Sequence, residues 1–227
     1  MPAIDEPHVR QRFGQELDQL RLQVELMAVR VDQNLERMRE VLRTGDSDLA
    51  DRAINADDDI DAMHVSLMER CYDLLRREAP VASDLRFVVS ALRVLSELER
   101  IGDLSLRVDK VAEQHNAITA HPIVFDVLLA MADEAVERYR LALRAWSGLD
   151  LSLATELVMV KGAMDLYYDR LVTELQRLDG PEAAGTAMVC FAVGRAIERI
   201  SDHATVIGAR VRYLLTGDPD HLAAEVR

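Results

Sequence analysis

Apolar positions recur every three or four residues through most of this chain, the period of an α-helix with one buried face. The first run carries Leu17, Leu20, Val24, Met27, Val31, Met38 and Val41, with Asn34 interrupting it beside Leu35. Thr44-Gly45-Asp46-Ser47 closes the run with a C-cap glycine followed by N-cap residues. A second helix is predicted over about 48–77, with Ala56, Ile60, Met63, Leu67 and Leu74 inward. A third follows over about 84–114, with Val94, Leu98, Ile101, Val108 and Ala112 inward. Proline lacks the amide hydrogen and clashes with the preceding turn, so Pro80, Pro122 and Pro181 fall at breaks. A fourth helix is expected over about 122–146, with Pro122 in its first turn. Beyond Ser147-Gly148-Leu149-Asp150 a fifth runs unbroken to about 178, where Asp179-Gly180-Pro181 ends it. The sixth carries Val193, Ile197, Ile200, Ala204, Ile207, Val211 and Leu214. No strand-like alternation of useful length appears, so the fold is predicted to be all-α.

Short motifs recur along the chain, which points to an internal duplication. Glu99-Arg100-Ile101-Gly102-Asp103 returns 99 residues later as Glu198-Arg199-Ile200-Ser201-Asp202. Asp48-Leu49-Ala50 aligns with Ser152-Leu153-Ala154, and Asp61 with Asp165, at an offset of 104. Pro80 aligns with Pro181 at 101. Two tandem three-helix bundles connected by short loops are the expected architecture, over 8–116 and 120–216, with 217–227 a frayed tail.

Charge then narrows the function. The formal net charge is −13, aromatics make up 4% and no basic block occurs, which argues against direct nucleic-acid binding. A cation or a basic protein surface suits the chain better. The longest stretches without a charge, 114–125 and 183–194, have 12 residues each, short of the roughly 18 that a membrane span needs. The opening MPAIDEPHVR carries acids and lacks a signal-peptide apolar stretch, so a cytoplasmic protein is expected. Cys71 and Cys190 each sit in an apolar-periodic run, with no metal or redox spacing, and read as buried thiols.

The candidate chemistry lies beside the apolar stripes. Glu99 and Asp103 follow the inward face of the third helix, and Asp57 and Asp61 follow that of the second. Like charges four apart on a helix repel by about 0.2–0.5 kcal/mol. The plainest reading is therefore four solvated carboxylates, with Asp103 paired to Arg107. Two helices of one bundle with the same spacing on the same flank point instead to convergence on one patch. Oxygen ligands from facing helices suit a hard or borderline cation such as Mg²⁺, Mn²⁺ or iron, whereas zinc more often takes His or Cys. His64 is set aside as structural, and His203, next to Asp202, is expected to point elsewhere.

The segment PVASDLRFVVSALRVLSELERIGD, 80–103, together with the later ERISDHA, 198–204, resembles the phosphate-uptake regulator family, PhoU. The likeness extends over both repeats, about 10–215. It implies tandem three-helix bundles, a homodimer, and E(D)xxxD motifs that bind multinuclear metal clusters in some members. It also implies a cytosolic regulator between the ATPase subunit of a phosphate ABC transporter and a phosphate-sensing histidine kinase. Such a regulator restrains the starvation response when phosphate is plentiful. Carried onto this chain, the motifs place metal ligands at Asp57, Asp61, Glu99 and Asp103 in the first repeat. The second repeat would supply Asp165, Glu198 and Asp202.

Two departures weaken the second set. Lys161 stands where the alignment with Asp57 wants an acid, so an ammonium can replace the ion. Asp84-Leu85-Arg86 has no counterpart, since the second repeat reads Gly185-Thr186-Ala187. Arg86 and Arg100, adjoining the motif, are candidate partner contacts. The competing functions are a carboxylate-bridged metal store or enzyme, and a metal-free structural adaptor. A di-metal enzyme of this class uses Glu-x-x-His on two helices; Asp61-Ala62-Met63-His64 is the nearest approach and occurs once. No nucleophile with its base, phosphate loop or cofactor motif is visible, and a non-enzymatic adaptor is expected.

Overall fold

The protein is described from a computed structural model covering residues 6–78, 80, 82–160 and 162–226. The long helices are α1 (Glu6–Thr44), α2 (Ser47–Glu78), α3 (Ala82–Asp109), α5 (Pro122–Gly148) and α8 (Ala183–Thr216). Between them lie α4 (His115–Thr119), α6 (Leu151–Met159) and α7 (Met164–Leu175). The described residues contain no strand, as the periodicity predicts. Local signals act where the sequence places them. Asp46 Oδ1 accepts the Leu49 amide at 2.9 Å at the start of α2, and Asp150 Oδ1 accepts the Ser152 amide at 2.8 Å ahead of α6.

Three segments depart from expectation. The third helix stops at Asp109 and tightens into a 3-10 turn over Lys110–Gln114. The fifth is broken into α6 and α7, because Val160 turns extended with ψ 110°. Arg138 of α5 takes up the freed helix end, donating to the Leu157 carbonyl at 2.8 Å and the Val160 carbonyl at 3.4 Å. At Gly162 the chain passes close to the Glu134 and Arg138 side chains of α5. Pro219–Val226, expected as frayed chain, is a 3-10 helix packed on α8. Thr216 Oγ1 and His221 Nδ1 lie 2.9 Å apart and tie that segment back.

α1, α2 and α3 form one bundle; α5, the α6–α7 pair and α8 form the other. The bundles pack side by side, α3 along α8 and α1 along α5, and their apolar cores merge. That shared core runs from Leu20 and Ile60 through Leu98 to Tyr139, Trp146 and Ile200. Tyr139 donates from its hydroxyl to the Ala28 carbonyl at 2.6 Å, and Arg140 donates to Asp32 at 2.9 Å and to Glu36. These polar links fix the register of α5 on α1.

Candidate functional site

The first-repeat acids lie on α2 and α3, which pack against each other. Asp57 is buried, Glu99 half-buried, and Asp61 and Asp103 are exposed. Asp57 therefore belongs to the inward face of α2, with Ala53 and Ile60, and not to its flank. Two features of the sequence make room for it. Asn34, the interruption in the α1 stripe, is itself buried and brings its amide nitrogen to 3.5 Å from Asp57 Oδ1. Arg37 in turn donates to the Asn34 side-chain oxygen at 2.6 Å. On α3 a Cβ at Gly102 would sit 2.9 Å from Asp57 Oδ1, so the glycine of ERIGD is what lets that carboxylate lie against the helix.

Asp57 and Glu99 each feel the other acids of the set. Burial pushes the Asp57 carboxyl up to about 6, with Asp61, Asp103 and Glu99 adding to the rise. Glu99 is raised first by burial and then by Asp103, against a lowering from His64. Asp103 forms no ion pair with Arg107 among the described residues. The all-oxygen donor set suits a hard cation, which would relieve the mutual repulsion. Among the described residues, no three His, Cys, Asp or Glu side chains converge closely enough to enclose one ion as they stand.

Sequence reasoning missed a fifth acid. Asp109, one residue after the inward Val108, is fully buried with neither carboxylate oxygen hydrogen-bonded among the described residues. Burial raises it to about 7, with Arg37 pulling it down and Asp57 pushing it up. The signal was a charged residue beside an apolar stripe, immediately before the α-helical geometry ends.

The second-repeat acids have different surroundings. They line a cavity of about 480 Å³ between α3, α5, the α6–α7 break and α8. Asp165 is exposed, Glu198 is paired with Arg195, and Asp202 opens onto the cavity. Desolvation raises Asp202 even though part of it reaches solvent, and Arg195 and His203 pull it back. Lys161 lies outside the described residues. Arg100, from the first motif, is exposed and faces this same cavity. Arg86 lies away from it, half-buried against Gly217 at the C-terminal end of α8, where a cation is favourable. Substituting Arg86 therefore acts first on that helix end.

A polar cluster centred on a buried carboxylate crosses from one bundle to the other. Glu97 of α3 is fully buried, with Oε1 3.0 Å from the Arg93 guanidinium as an ion pair. It also meets Nδ1 of His203, on α8, at 2.5 Å. Position 97 is an acid set into the Val94–Ile101 stripe, which is the pattern that could have revealed it.

A PhoU domain profile matches residues 24–111 and 128–211. The phosphate-specific transport system accessory protein PhoU of Serratia marcescens is 28% identical over 221 residues, covering 96% of this chain and 90% of that protein. A PhoU homolog of Thermotoga maritima, with the same accessory-protein name, is 30% identical, covering 90% and 89% respectively. The crystal structure of PhoU from Pseudomonas aeruginosa superposes with a TM-score of 0.85 at 29% identity, covering 91% of this chain and all of that one. The regulatory protein PhoU from Streptococcus pneumoniae superposes at 0.81 with 26% identity.

Proposed function

The chain belongs to the PhoU family, and on that premise we propose that it is an accessory protein of a phosphate transport system that restrains the phosphate-starvation response when phosphate is plentiful. The reading rests on the two domain matches, one per bundle, within relatives of nearly the same length that carry this name. We take the protein to be a cytosolic, non-enzymatic adaptor between the transporter's ATPase subunit and a phosphate-sensing histidine kinase. The chemistry supports an adaptor: Cys71 and Cys190 are buried, with thiols pushed up to about 12 and about 11, so neither serves as a nucleophile at neutral pH. Its working form is a homodimer. Asp57, Asp61, Glu99 and Asp103 would hold a hard cation, Mg²⁺, Mn²⁺ or iron, which supplies the counter-charge their mutual repulsion calls for. Asp165, Glu198 and Asp202 are the weaker set.

The test is a reporter driven by a phosphate-starvation promoter, read in phosphate-rich medium with and without this gene. Deletion should switch the reporter on. A silent reporter in a strain with no paralogue would remove the regulatory assignment.

A further inference from the structure

The cavity between the bundles gathers charge of the opposite sign from the first-repeat cluster. Its wall holds the guanidinium groups of Arg93, Arg100, Arg138, Arg195 and Arg199, in a chain of formal net charge −13. Four carboxylates face it, Glu97, Asp165, Glu198 and Asp202. Two of these are already engaged, Glu97 by Arg93 and His203, and Glu198 by Arg195. Among the described residues one arginine charge remains in excess, so a divalent cation is held less favourably here than in the first repeat and an anion meets net attraction. Arg138 is committed to the end of α6, but Arg100 and Arg199 form no hydrogen bond or ion pair among the described residues.

The second observation is independent of charge. His203 is only 8% exposed, and its Nε2 is buried on the cavity wall with no hydrogen-bond partner among the described residues. Leaving a buried polar nitrogen unmatched is costly, and a ligand that pairs with it removes that cost. Nδ1 is already taken by Glu97, so Nε2 is the ring nitrogen left to face the cavity, as donor or acceptor according to the tautomer. A phosphate-class oxyanion offers oxygens to the arginines and, to this nitrogen, either an oxygen or, as hydrogenphosphate, its own O–H. Sulfate offers the oxygens without the proton.

We propose that this cavity binds a phosphate-class oxyanion, orthophosphate or the phosphoryl group of a phosphate ester, held by Arg100 and Arg199 and recognised by His203 Nε2. The two tandem motifs then serve opposite charges: the first repeat gathers acids for a cation, and the second surrounds its acids with arginine. The site deepens the phosphate-transport reading and rests on it for the choice of oxyanion.

Calorimetric titration of the full chain, stripped of metal by a chelator, tests the site with orthophosphate, ATP and sulfate as separate probes. Saturable binding of orthophosphate or of ATP is expected, and the stronger of the two identifies the source of the phosphoryl group. Orthophosphate should bind at least about tenfold more tightly than sulfate. Arg199→Ala should weaken binding about tenfold or more, the loss expected for one charge-assisted hydrogen bond. Arg100→Gln serves as the second variant if the first fails to fold, and Arg76→Ala on α2, outside the cavity, should change nothing. Asp165→Asn removes an opposing carboxylate and should tighten binding. No saturable binding of either phosphate probe would overturn the proposal, as would sulfate binding equally well with no effect of Arg199→Ala. Manganese binding that disappears in Asp165→Asn, in place of oxyanion binding, would also overturn it. A failed titration with an intact starvation-promoter response would sink the site and leave the accessory role standing.

Discussion

Asp57 and Asp109 show how far single carboxylates depart from their ordinary behaviour when a bundle buries them. Both are pushed up, to about 6 and about 7, chiefly by burial. A raised folded-state value means that the native protein holds the proton more tightly than the unfolded chain does. Stability is therefore full below the ordinary value of 3.8 and falls as pH rises toward 7. Each unit of that window costs at most about 1.4 kcal/mol per group. Asp109→Asn should flatten the fall, gaining most over the parent near pH 8, as read from thermal melts at pH 5 and pH 8. Equal pH slopes for variant and parent would mean that Asp109 does not titrate in this range. The cation field makes a second residue-scale prediction. Glu99→Gln or Asp103→Asn should lower the metal content of untagged protein, whereas Glu198→Ala or Asp202→Ala should leave it nearly unaltered. Similar losses from both repeats would show that the arginine-rich surroundings do not matter. Asn34 was legible as an interruption of its stripe, but its role as the buried partner of Asp57 was not, because the two are 23 residues apart on different helices.

At the scale of elements, the stripes located every long helix, because 3.6-residue periodicity records one buried face and nothing else is needed to place it. The error fell on the fifth helix. Its sequence has no proline between 151 and 178, yet it divides at 160–163, where Arg138 and Glu134 of a different helix meet the chain. A break stabilised from outside leaves no proline in the broken segment. The same α7 segment rests on α8 through Gly194, where any Cβ would run into Leu171 Cδ2 and meet Leu128 Cδ2 at 3.6 Å. Gly194→Ala should therefore destabilise the protein by about 1–3 kcal/mol through overpacking, despite the better helix propensity of alanine. A drop in melting temperature checks this; a gain would show that Leu171 has room to turn aside.

For the whole molecule, the deciding feature is that two duplicated bundles share one core instead of sitting as independent beads. The Arg93–Glu97–His203 cluster sits across that join, with Glu97 fully buried. Removing Glu97 leaves the buried His203 Nδ1 without its partner, typically at a cost of about 1–3 kcal/mol. Glu97→Ala should lower stability by that order while calorimetry still shows a single transition, since the apolar core is continuous. Two separated transitions would mean that the halves unfold independently. Neither residue belongs to the repeated pattern: Glu97 aligns with Ala196 and His203 with Leu104. A reading built on the duplication therefore passes over both.

What the sequence determined by itself was local and periodic: the long helices, most of their boundaries, the duplication, the family likeness and the acidic pairs of the two motifs. Each of these is recorded within a few turns of one helix, or as the same words repeated down the chain. What only the tertiary structure decided was which surfaces face each other. It set α3 against α8, sank Asp57 against Gly102, joined Glu97 to His203 over 106 residues of chain, and turned five arginines from three helices into one cavity wall. Side-chain charge is written in the sequence, but the field at a site is the sum over neighbours brought there by folding. The two tandem motifs therefore look alike as strings and differ in sign as surroundings.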